Sequence, residues 1–409
     1  MRNKVFISIS LSIILIAILI LVLPDFHSTD KIADFQHNQD EYSTDKMIHI
    51  APTSKHIRYT GRFQFKGDEC AVFAHAGSSV EWKFSGQNCF IILRNYSTDT
   101  KTYSSNYFYV FIDDREPVIM HVVNDSNIYR FTDLGAGIHH FRLFKRTEAA
   151  CGKCEFVGFM IDEDASLYQT TVFPRLKMEF IGNSITSGYG NEDSSVSAPF
   201  KPATQNHYYS YAAVCARLLN AEHHAICFSG KGVYRNYDLT RKESLPVLYP
   251  LTYPQKRHKW DFESWQADII VLNAGTNDFA QGIPPLDSFT KAYENFLIMI
   301  RKYNHKALII VVDGPLLKDG LKKDPVSGEP ERTYSLYKTC LTKAIQEFRT
   351  KGYGNIRQFS LSPSGKLGYG ANWHPSKAQH ELNGKELANF IKNVVFTSDD
   401  WQKQNAYQQ

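Results

Sequence analysis

Ser184 stands where a short apolar run meets a glycine-rich turn, in the stretch Lys-Met-Glu-Phe-Ile-Gly-Asn-Ser-Ile-Thr-Ser-Gly-Tyr-Gly of residues 177–190. A serine hydroxyl is a poor nucleophile until a base takes its proton, and imidazole is the side chain that titrates near neutrality. Among 15 histidines, His374 stands out by position. Pro375 fixes the chain beside it, and Ser376 with Gln379 has the spacing of a capping box that would anchor a following helix. A second apolar run, Ile269 to Leu272, ends in Asn-Ala-Gly-Thr-Asn-Asp-Phe and brings Asn277 and Asp278 to another strand end. Alone, a Gly-x-Ser turn is equally a serine capping the next helix. It also differs from the G-x-S-x-G elbow, because the next glycine is Gly188. Serine, asparagine and histidine in this order have a joint chemical use, the attack of an activated hydroxyl on an ester carbonyl.

The elements that must position these residues follow from the hydrophobic periodicity. From 177 onward strands and helices alternate: strands at 178–181, 225–228, 269–272, 307–312 and 356–359, and helices at 208–219, around 289–300, 334–350 and 376–395. Repeated β-α units predict a parallel sheet covered on both faces, a flavodoxin-like three-layer α/β domain over 170–397. Ser184, Gly230, Asn277 and His374 then fall on one rim of that sheet, at the carboxyl ends of strands, where open α/β sheets bind ligands. Residues 55–165 read differently. Short alternating runs at 80–84, 89–94, 106–113, 117–123 and 139–146 are separated by Gly, Asn, Asp and Ser, which predicts an all-β sandwich. Tyr103, Tyr107 and Tyr109 there are either sheet packing or a sugar platform.

Residues 1–24 are set apart, with Arg2 and Lys4 preceding an apolar run over 5–23. Such a run is an export signal or an N-terminal membrane anchor, and the positive-inside rule puts the rest of the chain outside the cytoplasm. The polar stretch 25–54 reads as a linker. A net charge of +4 over 409 residues, with no basic stripe interleaved with aromatics, argues against nucleic acid as a partner. The seven cysteines are odd in number, so the chain is no disulfide-stapled scaffold. Cys151-Gly-Lys-Cys154 is left as a local disulfide, half of a zinc site or a turn, and no second such pair accompanies it.

The blocks Gly182-Asn183-Ser184, Gly230, Gly275-Thr276-Asn277-Asp278 and His374-Pro375 resemble those of the SGNH (GDSL-like) hydrolases. Residues 180–192, 229–237 and 372–376, behind Tyr59-Thr60-Gly61-Arg62-Phe63, look like carbohydrate esterase family 2 in particular. That resemblance implies a jelly-roll domain ahead of the SGNH domain and deacetylation of plant-wall polysaccharides without metal or cofactor. It implies Ser184 as nucleophile and His374 as base. The oxyanion donors it implies are the Asn277 amide and the backbone N–H groups of Gly230 and Ser184. Trp373, beside the base, is a candidate for lining the sugar or acyl pocket.

Two positions depart from the pattern. Asn183 replaces an aspartate, a nearly isosteric change of small expected effect, and positions 371 and 372 are Ala and Asn where a carboxylate usually precedes the histidine. Triad and dyad both stay open on this ground, and some members of the family resemble a dyad whose histidine is oriented by a backbone carbonyl. The expectation is an exported or anchored carbohydrate O-acetyl esterase. The alternatives are an inactive carbohydrate-binding or adhesion protein, and a lipase or thioesterase on the same fold.

Overall fold

A computed structural model of the chain describes residues 46–96, 105–122, 125–170, 176–254, 258–323 and 328–395. The apolar run at 5–23 and the tyrosine at 103 lie outside the described residues. Among the described residues, no helix is long and apolar enough to cross a membrane.

Twelve short strands come first: β1 (Met47–Ile50), β2 (Arg58–Thr60), β3 (Gln64–Phe65), β4 (Ala71–Phe73), β5 (Ser79–Ser85), β6 (Cys89–Tyr96), β7 (Asn106–Ile112), β8 (Val118–Val122), β9 (Asp125–Phe131), β10 (Ile138–Lys145), β11 (Lys153–Asp162) and β12 (Leu167–Tyr168). They form two antiparallel sheets, β3-β4-β11-β6-β9 with β1 against β11, and β12-β5-β10-β7-β8 with β2 against β5. Strand β5 illustrates why: Val80, Trp82 and Phe84 are fully buried while Glu81 and Lys83 alternate with them on the other side. Trp82 stacks on Phe159 at 4.6 Å and on Phe141 at 5.4 Å, joining the inner faces of the two sheets. The stretch read as linker is not linker throughout, because Met47–Ile50 pair in register with Phe159–Asp162 of β11. Four residues of weak alternation carry too little signal; the edge of an existing sheet makes them a strand.

Five parallel strands follow, β13 (Leu176–Gly182), β14 (Ala221–Cys227), β15 (Ile269–Asn273), β16 (Leu308–Asp313) and β17 (Ile356–Ser360), in the order β14-β13-β15-β16-β17. This is the flavodoxin-like order, with its topological switch point between β13 and β15. The helices are α1 (Ser184–Ser187), α2 (Tyr211–Leu218), α3 (Leu245–Leu248), α4 (Thr276–Ala280), α5 (Leu286–Tyr303), α6 (Thr333–Thr350) and α7 (Lys377–Val395). Phe289, Phe296 and Ile300 of α5 and Leu341, Ala344 and Phe348 of α6 pack with Ile270, Leu272, Ile309 and Val311 on one face of the sheet. Ala212 and Cys215 of α2 and Leu387, Ala388 and Ile391 of α7 pack with Phe180, Val271 and Ile310 on the other. The expected helix at 208–219 begins later, since Ser210 Oγ caps α2 by accepting from the Ala213 N–H at 3.2 Å and His207–Tyr209 form a separate 3-10 turn.

The two parts share a core. In β4, Ala71 and Phe73 face the sandwich, while Val72 and the flanking Cys70 and Ala74 pack with Ile181 and Phe228 of the α/β part. Arg62, fully buried, spans the same junction: its guanidinium donates to Glu179 Oε1 at 2.8 Å and to the carbonyls of Tyr249 and Leu251 at 2.5 and 2.7 Å. The Tyr249 hydroxyl completes the arrangement by donating to Glu179 Oε2 at 2.7 Å. All seven cysteines are buried free thiols, and Cys154 lies in the sandwich core rather than in a linked pair.

Candidate active site

β13 ends at Gly182, and the chain turns at once into α1. A Cβ at Gly182 would lie 2.1 Å from Thr186 Oγ1 and 2.8 Å from the Asn273 carbonyl, so only glycine lets the turn close this tightly against β15. Asn183 is the N-cap: its Oδ1 accepts from the Ile185 N–H at 3.2 Å, the task an aspartate would perform equally well. Ser184 is thereby the first helical residue, with a backbone N–H that has no acceptor within the helix. Gly188 stops α1 after a single turn in the left-handed conformation, φ 77°.

His374 reaches this serine from the far end of the sequence. Its Nε2 lies 2.8 Å from Ser184 Oγ, and its Nδ1 lies 3.1 Å from the carbonyl oxygens of both Ala371 and Asn372. Carbonyls only accept, so Nδ1 carries the proton and Nε2 presents a lone pair to the serine hydroxyl. The backbone is bent to achieve this: Asn372 and Trp373 have φ of 48° and 61°, two consecutive non-glycine residues in the left-handed region. His374 itself, preceding a proline, is extended at φ −70° and ψ 161°. Ser376 Oγ accepts from the Gln379 N–H at 3.2 Å and caps α7, while the Gln379 side chain turns to the Ser362 carbonyl and Asn383, so the box is half formed.

Tyr189, two residues from the end of α1, packs its ring on the imidazole with centroids 4.2 Å apart, and stacks on Phe200 at 4.4 Å. Sequence reasoning missed it, although it lies within the Gly-Tyr-Gly that follows the Ser184 turn. Desolvation of the His374 ring lowers its pKa to about 4, against the two carbonyls, which favour the imidazolium. The imidazole is therefore neutral throughout the near-neutral range, with Nε2 able to accept a proton.

The remaining residues gather at the same strand ends. The Phe228 N–H donates to the Gly182 carbonyl at 3.1 Å, holding the end of β14 beside the Ser184 turn. Gly230 follows at φ 76°, and nothing lies closer than 4.0 Å to where its Cβ would stand. Asn277, in the first turn of α4, donates one amide hydrogen to the Lys231 carbonyl at 2.8 Å and keeps the other. Its neighbour Asp278, fully buried, accepts from the N–H groups of Val233, Tyr234 and Arg235 at 3.0, 2.6 and 2.9 Å. Asp278 thus pins the Gly230 loop to α4, with its carboxyl pushed up to about 6 by burial despite those donors. Trp373 is 60% exposed and edge-on to Tyr369 at 5.3 Å, so it is not a core tryptophan. Tyr109 is buried against Tyr208 and the Arg146 guanidinium, which makes it packing, and Tyr107 stacks on His121 at 4.2 Å. Among the described residues, no three or more His, Cys, Asp or Glu side chains converge as a metal site would need.

Residues 59–170 match the family described as Carbohydrate esterase 2 N-terminal, and residues 180–382 match the GDSL-like Lipase/Acylhydrolase family. The chain is 33% identical over 345 residues to the Cellulase/esterase CelE of Acetivibrio thermocellus, covering 83% of this chain and 39% of that much longer protein. It is 24% identical over 356 residues to an acetylxylan esterase/glucomannan deacetylase of Cellvibrio japonicus, covering 86% of this chain and 91% of the relative. Among solved structures, it superimposes on a family two carbohydrate esterase from Clostridium thermocellum in complex with cellohexaose. The TM-score is 0.75 and the identity 31%, over 83% of this chain and 99% of that one. A family two carbohydrate esterase from Cellvibrio japonicus, 20% identical, has the same fold at a TM-score of 0.75 over 87% and 99% of the two chains.

Proposed function

The chain belongs to carbohydrate esterase family 2, and we propose on that footing that it removes acetyl groups from plant-type polysaccharides or oligosaccharides through a serine acyl-enzyme. The observation that carries this reading is the 2.8 Å bond from Ser184 Oγ to a His374 ring whose other nitrogen is satisfied by carbonyls. His374 Nε2 takes the hydroxyl proton as Oγ attacks the acetyl carbonyl. The oxyanion is met by the free amide hydrogen of Asn277 and the N–H groups of Gly230 and Ser184. Collapse breaks the bond to the sugar oxygen, which takes the proton from His374 and departs as a hydroxyl, leaving acetyl on Ser184. Water, activated by the same Nε2, then releases acetate. Two carbonyls stabilise the imidazolium less than a carboxylate would, and they hold the ring in the required tautomer. No metal or cofactor enters these steps.

The names of the Cellvibrio relative and of the cellohexaose complex support a β-linked glycan backbone as substrate. Trp373, exposed beside the base, is assigned to the sugar side of the site. The apolar run at 5–23 behind Arg2 and Lys4 supports an extracytoplasmic location. We place the sandwich at 55–165, extended to 47–168 by the pairing of β1 and β12, and the hydrolase domain at 170–397. The test is acetate release from acetylated xylan, mannan and glucan by wild type and Ser184→Ala. The reading expects release from at least one glycan and none by the variant; release by Ser184→Ala at the wild-type rate would refute it.

A further inference from the structure

Glu148 belongs to the sandwich by sequence, in the short connection between β10 and β11, yet it is 1% exposed and its carboxylate is turned into the α/β part. Oε2 accepts from the Ser229 backbone N–H at 2.7 Å, and Oε1 accepts from the Ser229 hydroxyl and from Gln205 Nε2, the latter at 3.2 Å. Ser229 immediately precedes Gly230. Gln205 Nε2 also donates to Ser187 Oγ at 2.9 Å, and Ser187 Oγ donates to the carbonyl of Ser184 at 2.9 Å. Gln205 is itself fixed, because its Oε1 accepts the Glu148 N–H at 3.1 Å. One buried acid therefore holds the loop carrying Gly230 by two bonds, and the nucleophile turn by a chain of three.

We infer that Glu148 is a positioning residue for the reaction proposed above, setting the Gly230 N–H and Ser184 in register so that the sandwich completes the active site. The inference rests on that proposed reaction. A buried carboxylate is costly and is retained only where its donors are arranged around it. Docking of the two parts is already served by the separate Arg62–Glu179 pair. What Glu148 adds is a fixed relation between two catalytic loops, and errors of about 1 Å in such a relation cost on the order of 10²-fold in rate.

Glu148→Gln keeps the shape but has a single acceptor oxygen, so it must break the bond to the Ser229 N–H or the bond to Gln205. With 4-nitrophenyl acetate as probe, we expect kcat to fall on the order of 10²-fold with KM little changed, and active-site titration with a serine-directed phosphonate still to reach one label per chain. A merely structural residue would lower the titratable fraction instead. In an Asn277→Ala background the same substitution should cost less than about tenfold, since both act on one oxyanion site. A Glu148→Gln enzyme with wild-type kcat, a drop explained by lost titratable sites, or full multiplication with Asn277→Ala overturns the inference. Should Glu148→Gln not fold, Ser187→Ala and Ser229→Ala decide: each should lower kcat at constant KM, and unchanged kcat in both overturns it. Turnover that survives in Ser184→Ala refutes the proposed reaction itself, whereas an inactive Ser184→Ala beside a fully active Glu148→Gln refutes only the role of Glu148.

Discussion

The side-chain amide of Asn372 donates to the hydroxyl of Tyr189 at 3.0 Å, while only its backbone carbonyl faces the His374 ring. Where a triad would put its carboxylate, the Asn372 side chain braces the left-handed turn and its carbonyl meets Nδ1 of His374.

Asn372→Ala should therefore lose less than about tenfold in kcat, roughly 1.4 kcal/mol. His374→Ala should be nearly as inactive as Ser184→Ala, because members of one catalytic unit fail together. Asn372→Asp should not raise kcat, since its carboxylate would meet Tyr189 rather than Nδ1. Matched kcat values on one acetylated sugar check all three. An Asn372→Ala enzyme that folds and is as damaged as His374→Ala would make Asn372 a third working member.

The pH profile follows from the state of the base. His374 must be neutral to accept the Ser184 proton, and its pKa is lowered from 6.5 to about 4 by desolvation. Activity should thus be flat through neutrality and fall only as pH drops through about 4, when the imidazolium forms. A kcat/KM profile for a neutral acetyl ester with its acid limb near 6.5 would mean that the ring is not desolvated in the working enzyme.

Asn277→Ala removes one oxyanion donor, and such removals cost on the order of 10² to 10³ in kcat. KM should change little, because the amide engages charge that develops only during attack. A raised KM with kcat unaltered would make Asn277 a ground-state binding residue instead.

At the junction of the two parts, Arg62→Met leaves the buried Glu179 carboxyl with one remaining donor, the Tyr249 hydroxyl. Breaking a buried pair from one side costs about 3 to 5 kcal/mol. Thermal unfolding should show a large fall in Tm, partly restored in Arg62→Met/Glu179→Leu. A single variant as stable as wild type would remove the pair from the account of docking.

The alternating strands and the β-α rhythm were readable because each buries one face or one stripe, which leaves a period in the sequence. Strand β11 was not, because a register shift between Phe156 and Gly158 puts Phe156 and Phe159, three apart, both on the sandwich core, and Val157 packs on the α/β core. The turns that present Ser184, Asn277 and His374 were legible because they lie next to strand ends or a proline and so have local sequence marks. Glu148, Gln205 and Tyr189 have none. Their meaning arises from contacts 57 positions apart for Gln205–Glu148 and 185 apart for Tyr189–His374, made only once the chain has folded.

The central claim is that acetyl passes through Ser184 Oγ. Rapid-quench peptide mass spectrometry during turnover of an acetylated xylo-oligosaccharide tests it directly, with Glu148→Gln and wild type run side by side to capture slow and fast cycles. The account predicts acetyl on Ser184 in both, and none anywhere in His374→Ala. Acetate released at full rate with Ser184 never modified, or from Ser184→Ala, would contradict it.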